Sequence, residues 1–292
     1  MASGLMYRLY QRVLERYKAR ETAPGAGLYR RSVEGVIHIT VLGLMKWQGM
    51  QFPPKAVGGW WWIWRFRFEL LMRWFEWESV QRVLPIVRPG MTVIDVGAHI
   101  GYYTRILSEL VGPTGQVLAF EPDPENYAVL QRNLAAPRYR NVVLFNFAVA
   151  DRDEMRPFYI SPGNSNHSLV PGYTEAQSVF EVRCVTLDSV LAERGIEKVD
   201  FVKSDTEGGE PLVLAGLART IASSPQLAML VEFNPAALRC GKTDPEQFLE
   251  GLREVGFEIE RIPPDPATKE VYSNILCRKN ATADGTRRVG RT

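Results

Sequence analysis

From Met91 onward, short apolar runs alternate with helical stretches, and few architectures accommodate that alternation. The spacing predicts strands over residues 92–97, 117–121, 141–150, 199–204, 227–233, 257–262 and 271–277. Between them, helical periodicity covers residues 102–110, 124–135, 211–222 and 246–255, and residues 156–185 read as irregular hairpin material. Strand, helix, strand in repetition argues a doubly wound α/β sheet, because parallel neighbours need crossover helices on the sheet faces. Ligands of such sheets bind at the carboxyl ends of the strands.

The first predicted strand ends in Asp95-Val-Gly97-Ala-His-Ile-Gly101 and runs directly into a helix. A dinucleotide loop would have glycines two and then three positions apart; here Asp95 takes the first position and the later interval is four. A carboxylate there would face a pyrophosphate dianion, so a nicotinamide oxidoreductase is disfavoured. The same carboxylate suits a ligand with ammonium and hydroxyl groups. Glu121 closes the second strand, 24 residues after Gly97, where an acid can accept both hydroxyls of a ribose. Singly, Asp95 is a turn aspartate and Glu121 a solvated strand-end acid. As an ordered pair in a strand–loop–helix–strand frame they describe a site for S-adenosylmethionine.

Those residues, followed by Asn146-Phe-Ala148-Val149-Ala-Asp151, Thr186-Leu-Asp188, Lys203-Ser-Asp205-Thr-Glu207-Gly-Gly-Glu210 and Val231-Glu232, resemble FkbM-type methyltransferases over about residues 85–260. Ser204 and Gly209 stand where that family more often has an aliphatic residue and alanine. The resemblance implies a class I methyltransferase fold, Rossmann-like and mostly parallel with one antiparallel late strand. It implies methyl transfer from S-adenosylmethionine, yielding S-adenosylhomocysteine, usually to a hydroxyl of a sugar, polyketide or other natural product. Carried across, Asp95, Gly97 and Gly101 shape the methionine side of the cofactor pocket, Glu121 holds the ribose, and Ala148 with Val149 flanks the adenine. Asp151 is a further candidate for that edge. Asp205 ends the strand nearest the reacting methyl, with Glu207, Glu210 and Glu232 at the same end.

Transfer to an alcohol needs the oxygen aligned and its proton removed. His167, in Asn164-Ser-Asn-His-Ser168, is a base if its insertion reaches over the pocket, and otherwise a loop histidine facing solvent. His99 lies inside the cofactor loop and reads as packing. Asp205, Glu207 and Glu232 are equally readable as a Mg²⁺ cluster, as a hydrogen-bonded network with Lys203, or as the source of a base raised by like-charged neighbours; no metal site is assigned. N- or C-methylation on the same fold is the alternative within the class. A non-catalytic membrane-surface module with a degenerate α/β domain is the alternative outside it.

Residues 1–85 have a different character. Leu5, Met6, Leu9, Tyr10, Val13, Leu14 and Tyr17 share one side of a helical wheel, with Arg8, Gln11, Arg12, Glu15 and Lys18 mainly on the other and Arg16 at the border. All seven tryptophans lie between Trp47 and Trp77, and Arg65, Glu69, Arg73 and Glu76 line one stripe of a single helix through residues 60–77. This helical extension reads as a lid, an oligomer contact or a membrane-interface element, since Trp and Arg on amphipathic helices are interfacial features. With 46% hydrophobic and 23% charged residues the chain is not disordered, and a formal charge of +2 gives no surface suited to nucleic acid. Three scattered cysteines with no CxxC, no secretion signal, and a longest apolar run (36–45) too short to span a bilayer point to the cytoplasm, with the inner membrane face open to the extension. Residues 280–292 read as a disordered tail. The expected partners are a small-molecule, glycan or lipid-linked hydroxyl acceptor, and a second copy of the chain.

Overall fold

The computed structural model describes residues 4–20, 26–53, 60–163, 165–263 and 273–279. The tail expected over 280–292, and the first two residues of the last predicted strand, lie outside them. Four helices open the chain: α1 (Gly4–Arg20), α2 (Ala26–Gln48), α3 (Trp60–Met72) and α4 (Trp77–Val83). Then follow β1 (Thr92–Val96), α5 (Tyr102–Val111), β2 (Gln116–Phe120), α6 (Pro124–Asn133) and β3 (Val142–Phe145). An insertion carries β4 (Ala148–Val149), β5 (Glu154–Ile160) and β6 (Ser178–Val185), leading into α7 (Leu187–Glu193). The chain continues through β7 (Phe201–Ser204), α8 (Glu210–Ala215), α9 (Ala218–Ser223), β8 (Ala228–Phe233) and α10 (Pro235–Cys240). It closes on α11 (Pro245–Glu254), β9 (Phe257–Arg261) and β10 (Ser273–Lys279).

Seven strands form one sheet in the order β3-β2-β1-β7-β8-β10-β9. Neighbours from β3 to β8 are parallel, while β10 runs antiparallel to both β8 and β9. This is the doubly wound α/β arrangement with one antiparallel late strand that the sequence predicts. β7 and β8 are buried along their whole length, as strands covered on both faces must be. Helix starts follow their capping chemistry: Asp123, Asn234 and Asp244 each accept backbone N–H groups ahead of a first-turn proline.

Four predicted elements differ. The strand expected over 141–150 stops at Phe145, because the Asn146 side-chain amide donates to the carbonyls of Glu121 and Pro122 (2.8 and 3.0 Å) and turns the chain. Ala148 and Val149 then pair with β6 in a second sheet of order β4-β6-β5. The irregular hairpin is a regular antiparallel ladder from Glu154–Cys184 to Ile160–Ser178. The helix expected over 211–222 breaks into α8 and α9, and α7 and α10 were not anticipated.

The single Trp-rich helix is the fourth correction. The chain leaves helical geometry after Met72, with Arg73 (φ 59°) and Glu76 (φ 47°) in the left-handed region. Only the Arg65–Glu69 pair of the expected stripe forms (2.8 Å), and it is buried, at 3% and 4% exposure, with the Tyr10 hydroxyl donating to Glu69. Arg73 pairs instead with Glu109 (2.5 Å). Leu70, Leu71, Val80 and Val83 of the extension share one hydrophobic cluster with Val93, Ile106, Phe201 and Leu230 of the sheet layer. The extension is therefore built into a core of the α/β unit.

Candidate functional site

A cavity of about 440 Å³ opens at the carboxyl ends of β1, β2, β7 and β8. The sheet supplies its floor through Gly97, Glu121, Asp205 and Glu232. The insertion contributes Phe158 and residues 165–167, and the extension contributes Phe52, Phe66, Arg67, Phe75 and Glu76.

The β1 loop is bent by its own hydrogen bonds. Backbone N–H groups of Gly97 and Ala98 both donate to the Phe120 carbonyl (3.0 and 2.9 Å). Glu121 then receives the His99 N–H on one carboxylate oxygen (2.8 Å) and the Asp123 N–H on the other (2.9 Å). Burial pushes its carboxyl up to about 8, against the lowering effect of those two bonds. Phe147, Ala148 and Val149 lie on the adjoining wall, where the chain leaves β3.

Two residues expected at the pocket do not line it. Asp95 is wholly buried behind the loop, accepts the Thr104 hydroxyl (2.6 Å) and stands 3.9 Å from the Lys203 ammonium. Gly101 (φ 93°) precedes α5, and a Cβ there would meet Leu130 Cδ1 of α6 at 2.9 Å, so it serves helix packing. Asp151, the further candidate, pairs with Arg156 at 2.7 Å and is also absent from the lining.

The opposite end is acidic. Asp205 takes the Lys203 ammonium (3.1 Å), which also donates to the Gly97 carbonyl (3.3 Å). Desolvation opposes the charged Lys203, yet the Asp205, Asp95 and Glu76 carboxylates together raise its pKa. Glu207, in left-handed geometry (φ 54°), accepts the Tyr173 hydroxyl (2.7 Å), and its backbone carbonyl accepts Ser168 Oγ (2.7 Å). Burial and then Asp205 push the Glu207 carboxyl up to about 8. Glu210 clamps this loop, accepting from Thr206 N–H, Thr206 Oγ1 and Gly208 N–H (2.8, 2.8 and 3.0 Å). Asp205, Glu207 and Glu232 each place an oxygen within 4.8 Å of the others, a spacing a divalent cation could bridge.

His167 lines the cavity and does not face solvent as a free loop residue. Its Nδ1 accepts the Ser161 backbone N–H (3.1 Å), so the neutral ring carries its proton on Nε2, 3.7 Å from Asp123 Oδ2. Burial lowers its pKa. In that tautomer neither ring nitrogen has a lone pair open to an acceptor.

Sequence reasoning missed Glu76 and Arg67. Glu76 accepts Tyr103 Oη (2.8 Å) and Asn274 Nδ2 (2.7 Å), and burial followed by Asp205 pushes its carboxyl up to about 7. Reading it as one member of a continuous helical stripe hid it; the left-handed turn at 73–76 sets it in the cavity lining. Arg67 is the only Lys or Arg lining the cavity among the described residues, stacked on Phe52 and Trp64 at 5.1 and 5.0 Å. Its exception to an otherwise apolar wheel was the available signal.

The donor set fits S-adenosylmethionine: strand-end acids for a diol and two cationic centres, an apolar wall for a base, and one guanidinium for a carboxylate. A family model described as the methyltransferase FkbM domain matches residues 95–259, more than half of the chain. The 2-O-methyltransferase NoeI of Sinorhizobium fredii is 27% identical over 160 residues, covering 49% of this chain and 64% of its own. The 31-O-demethyl-FK506 methyltransferase FkbM of Streptomyces tacrolimicus is 31% identical over 160 residues, covering 45% and 61%. This chain thus spans less than two thirds of either relative's length. Among solved structures, a putative rRNA methylase from Clostridium thermocellum aligns with 70% of this chain and 96% of that one, at 14% identity and a TM-score of 0.46. With its loop, strand-end acids and strand order in place, the chain belongs to the FkbM family of S-adenosylmethionine-dependent methyltransferases.

Proposed function

We propose that the protein moves a methyl group from S-adenosylmethionine to a hydroxyl of a glycan, a lipid-linked sugar or another natural product. The observation that carries this reading is Glu207, a carboxyl held by the Tyr173 hydroxyl in the cavity wall beside Asp205 and Glu232. Such a group can take an alcohol proton once it is ionised, as pH rises toward and past about 8. Relatives named as a 2-O-methyltransferase and a 31-O-demethyl-FK506 methyltransferase support oxygen as the acceptor atom.

When bound, S-adenosylmethionine supplies a methyl group on a positively charged sulfur, ready for displacement by an aligned nucleophile. Glu121 accepts the ribose hydroxyls, Ala148 and Val149 flank the adenine, and Gly97 lets the methionine end lie against the β1 loop. Arg67 takes the carboxylate. Asp205, fixed by Lys203, bounds the methyl end, while Phe52, Phe66 and Phe75 exclude water from above. Alignment of this kind lowers a barrier by about 7–11 kcal/mol. Glu207, when ionised, would take the proton of the acceptor hydroxyl. His167 holds the insertion over the ribose side and moves no proton. Asp95 and Gly101 act from behind, by setting the loop.

The test is transfer from methyl-labelled S-adenosylmethionine to a panel of hydroxylated glycans and prenyl-linked sugars, with the methylated atom assigned by NMR. Label on an ether oxygen is expected. Label found only on nitrogen or carbon overturns the reading.

A further inference from the structure

Of the Trp-rich segment, which the sequence offers as a lipid contact, Leu70, Leu71 and Trp74 are buried. The exposed apolar surface lies elsewhere. Among the described residues eleven large hydrophobic side chains are exposed, and eight of them sit on α1 and α2. On α1, Tyr7 and Tyr10 pack onto Trp74, Trp77 and Phe68. Leu5, Met6, Leu9 and Val13 occupy the outer arc, 48–60% exposed. Arg8, Arg12 and Arg16 share that arc with one acid, Glu15, and all four are exposed.

α2 repeats the pattern independently. Val41 is buried, whereas Val36, Ile39, Leu42 and Trp47 fall together on the outer stripe, with Ile39 72% and Trp47 79% exposed. Lys46 is the only charged side chain among the exposed, described residues of α2. Soluble surfaces seldom concentrate exposed apolar groups in this way. Apolar arcs beside arginines, with a tryptophan at the end of one stripe, are the chemistry of helices lying in a bilayer interface. No helix among the described residues is long and apolar enough to cross a membrane.

We propose that the outer faces of α1 and α2 dock on an anionic lipid surface. Charge decides between occupants: a second copy would bring the same arginines against each other, whereas anionic headgroups neutralise them. Docking also has a consequence for access. α2 packs on α3, and Phe66 and Arg67 of α3 line the cavity roof, so the membrane-facing helices rest directly on the lid of the site.

The experiment is vesicle flotation of the full chain with phosphatidylcholine alone and with phosphatidylglycerol added. The full chain floats with the anionic vesicles. A Leu9→Glu/Ile39→Glu variant, altered only at exposed positions, loses about thirtyfold or more in partitioning. Replacing Arg8, Arg12 and Arg16 with Gln lowers anionic partitioning about a hundredfold, leaving partitioning to phosphatidylcholine unchanged. S-adenosylhomocysteine affinity stays constant in both variants and certifies the fold. The proposal fails if the full chain does not float with anionic vesicles or if the variants float as well as it does. It fails equally if sedimentation finds a dimer that these substitutions dissociate and vesicles do not displace.

Discussion

Gly97 and Asp205 interlock across the tips of two neighbouring strands: a Cβ built on Gly97 would stand 1.8 Å from the Asp205 carbonyl oxygen. With φ at 74°, residue 97 is also in a region that side chains resist. The loop that receives the cofactor and the strand end that bounds the methyl are therefore one rigid piece. Gly97→Ala is expected to cost about 2–5 kcal/mol of stability through overpacking and strain, read by thermal denaturation. It should also abolish S-adenosylhomocysteine binding in calorimetry. An alanine variant with ordinary stability and affinity would mean that the loop and strand tip are not in contact.

Arg67 gives a prediction that separates charge from packing. Arg67→Ala is expected to weaken S-adenosylhomocysteine binding about tenfold or more, the loss of a charge-assisted bond to its carboxylate. Binding of 5′-methylthioadenosine, which lacks the amino-acid portion, should not change. Equal losses for both ligands would assign Arg67 to the roof's packing alone.

Asp205→Asn is expected to lower turnover more than cofactor affinity, because Lys203 would lose the partner that fixes it beside the methyl end. A chelator should leave the wild-type rate unaltered. Chelator-sensitive turnover restored by Mg²⁺ would instead place a cation on Asp205, Glu207 and Glu232.

The strand-end acids set a pH dependence. Glu121 and Glu207 are raised to about 8, and Glu76 and Glu210 to about 7, by burial first of all. The folded chain therefore binds more protons than the unfolded chain between the ordinary glutamate range and about pH 8. Their contribution to stability is complete at the acid end of that window and is lost as pH rises through it. The cofactor-free protein should melt at a higher temperature at pH 6 than at pH 8.5, and Glu207→Gln should flatten the difference. A melting temperature that climbs across the same window would contradict the burial of these acids.

Much of the sheet was legible because its strands are apolar runs punctuated by Asp-Pro and Gly signals, and period decides such elements locally. The two-sheet split was not, because it turns on the Asn146 side chain reaching the Glu121 and Pro122 carbonyls from another strand. At the site, Gly97, Glu121, Ala148, Val149, Asp205, Glu207 and His167 all face the cavity. Motif position could not reveal that Asp95 and Gly101 stand behind it, since being in the loop and lining the pocket are different geometric facts. Glu76 and Arg67 were hidden for a further reason. They come from a segment whose helical period is broken by left-handed residues, Arg73 and Glu76, that lack the glycine usually marking such a turn.

The most direct measurement is calorimetric titration of S-adenosylhomocysteine into the full chain and into Glu121→Ala, with NADH as the control ligand. The expected result is micromolar affinity for the full chain, no binding of NADH, and a loss in the variant of about 1.5 kcal/mol or more, as for charge-assisted bonds to a buried diol. Undiminished affinity in Glu121→Ala, or NADH binding as tightly, would contradict the assignment of this cavity to S-adenosylmethionine.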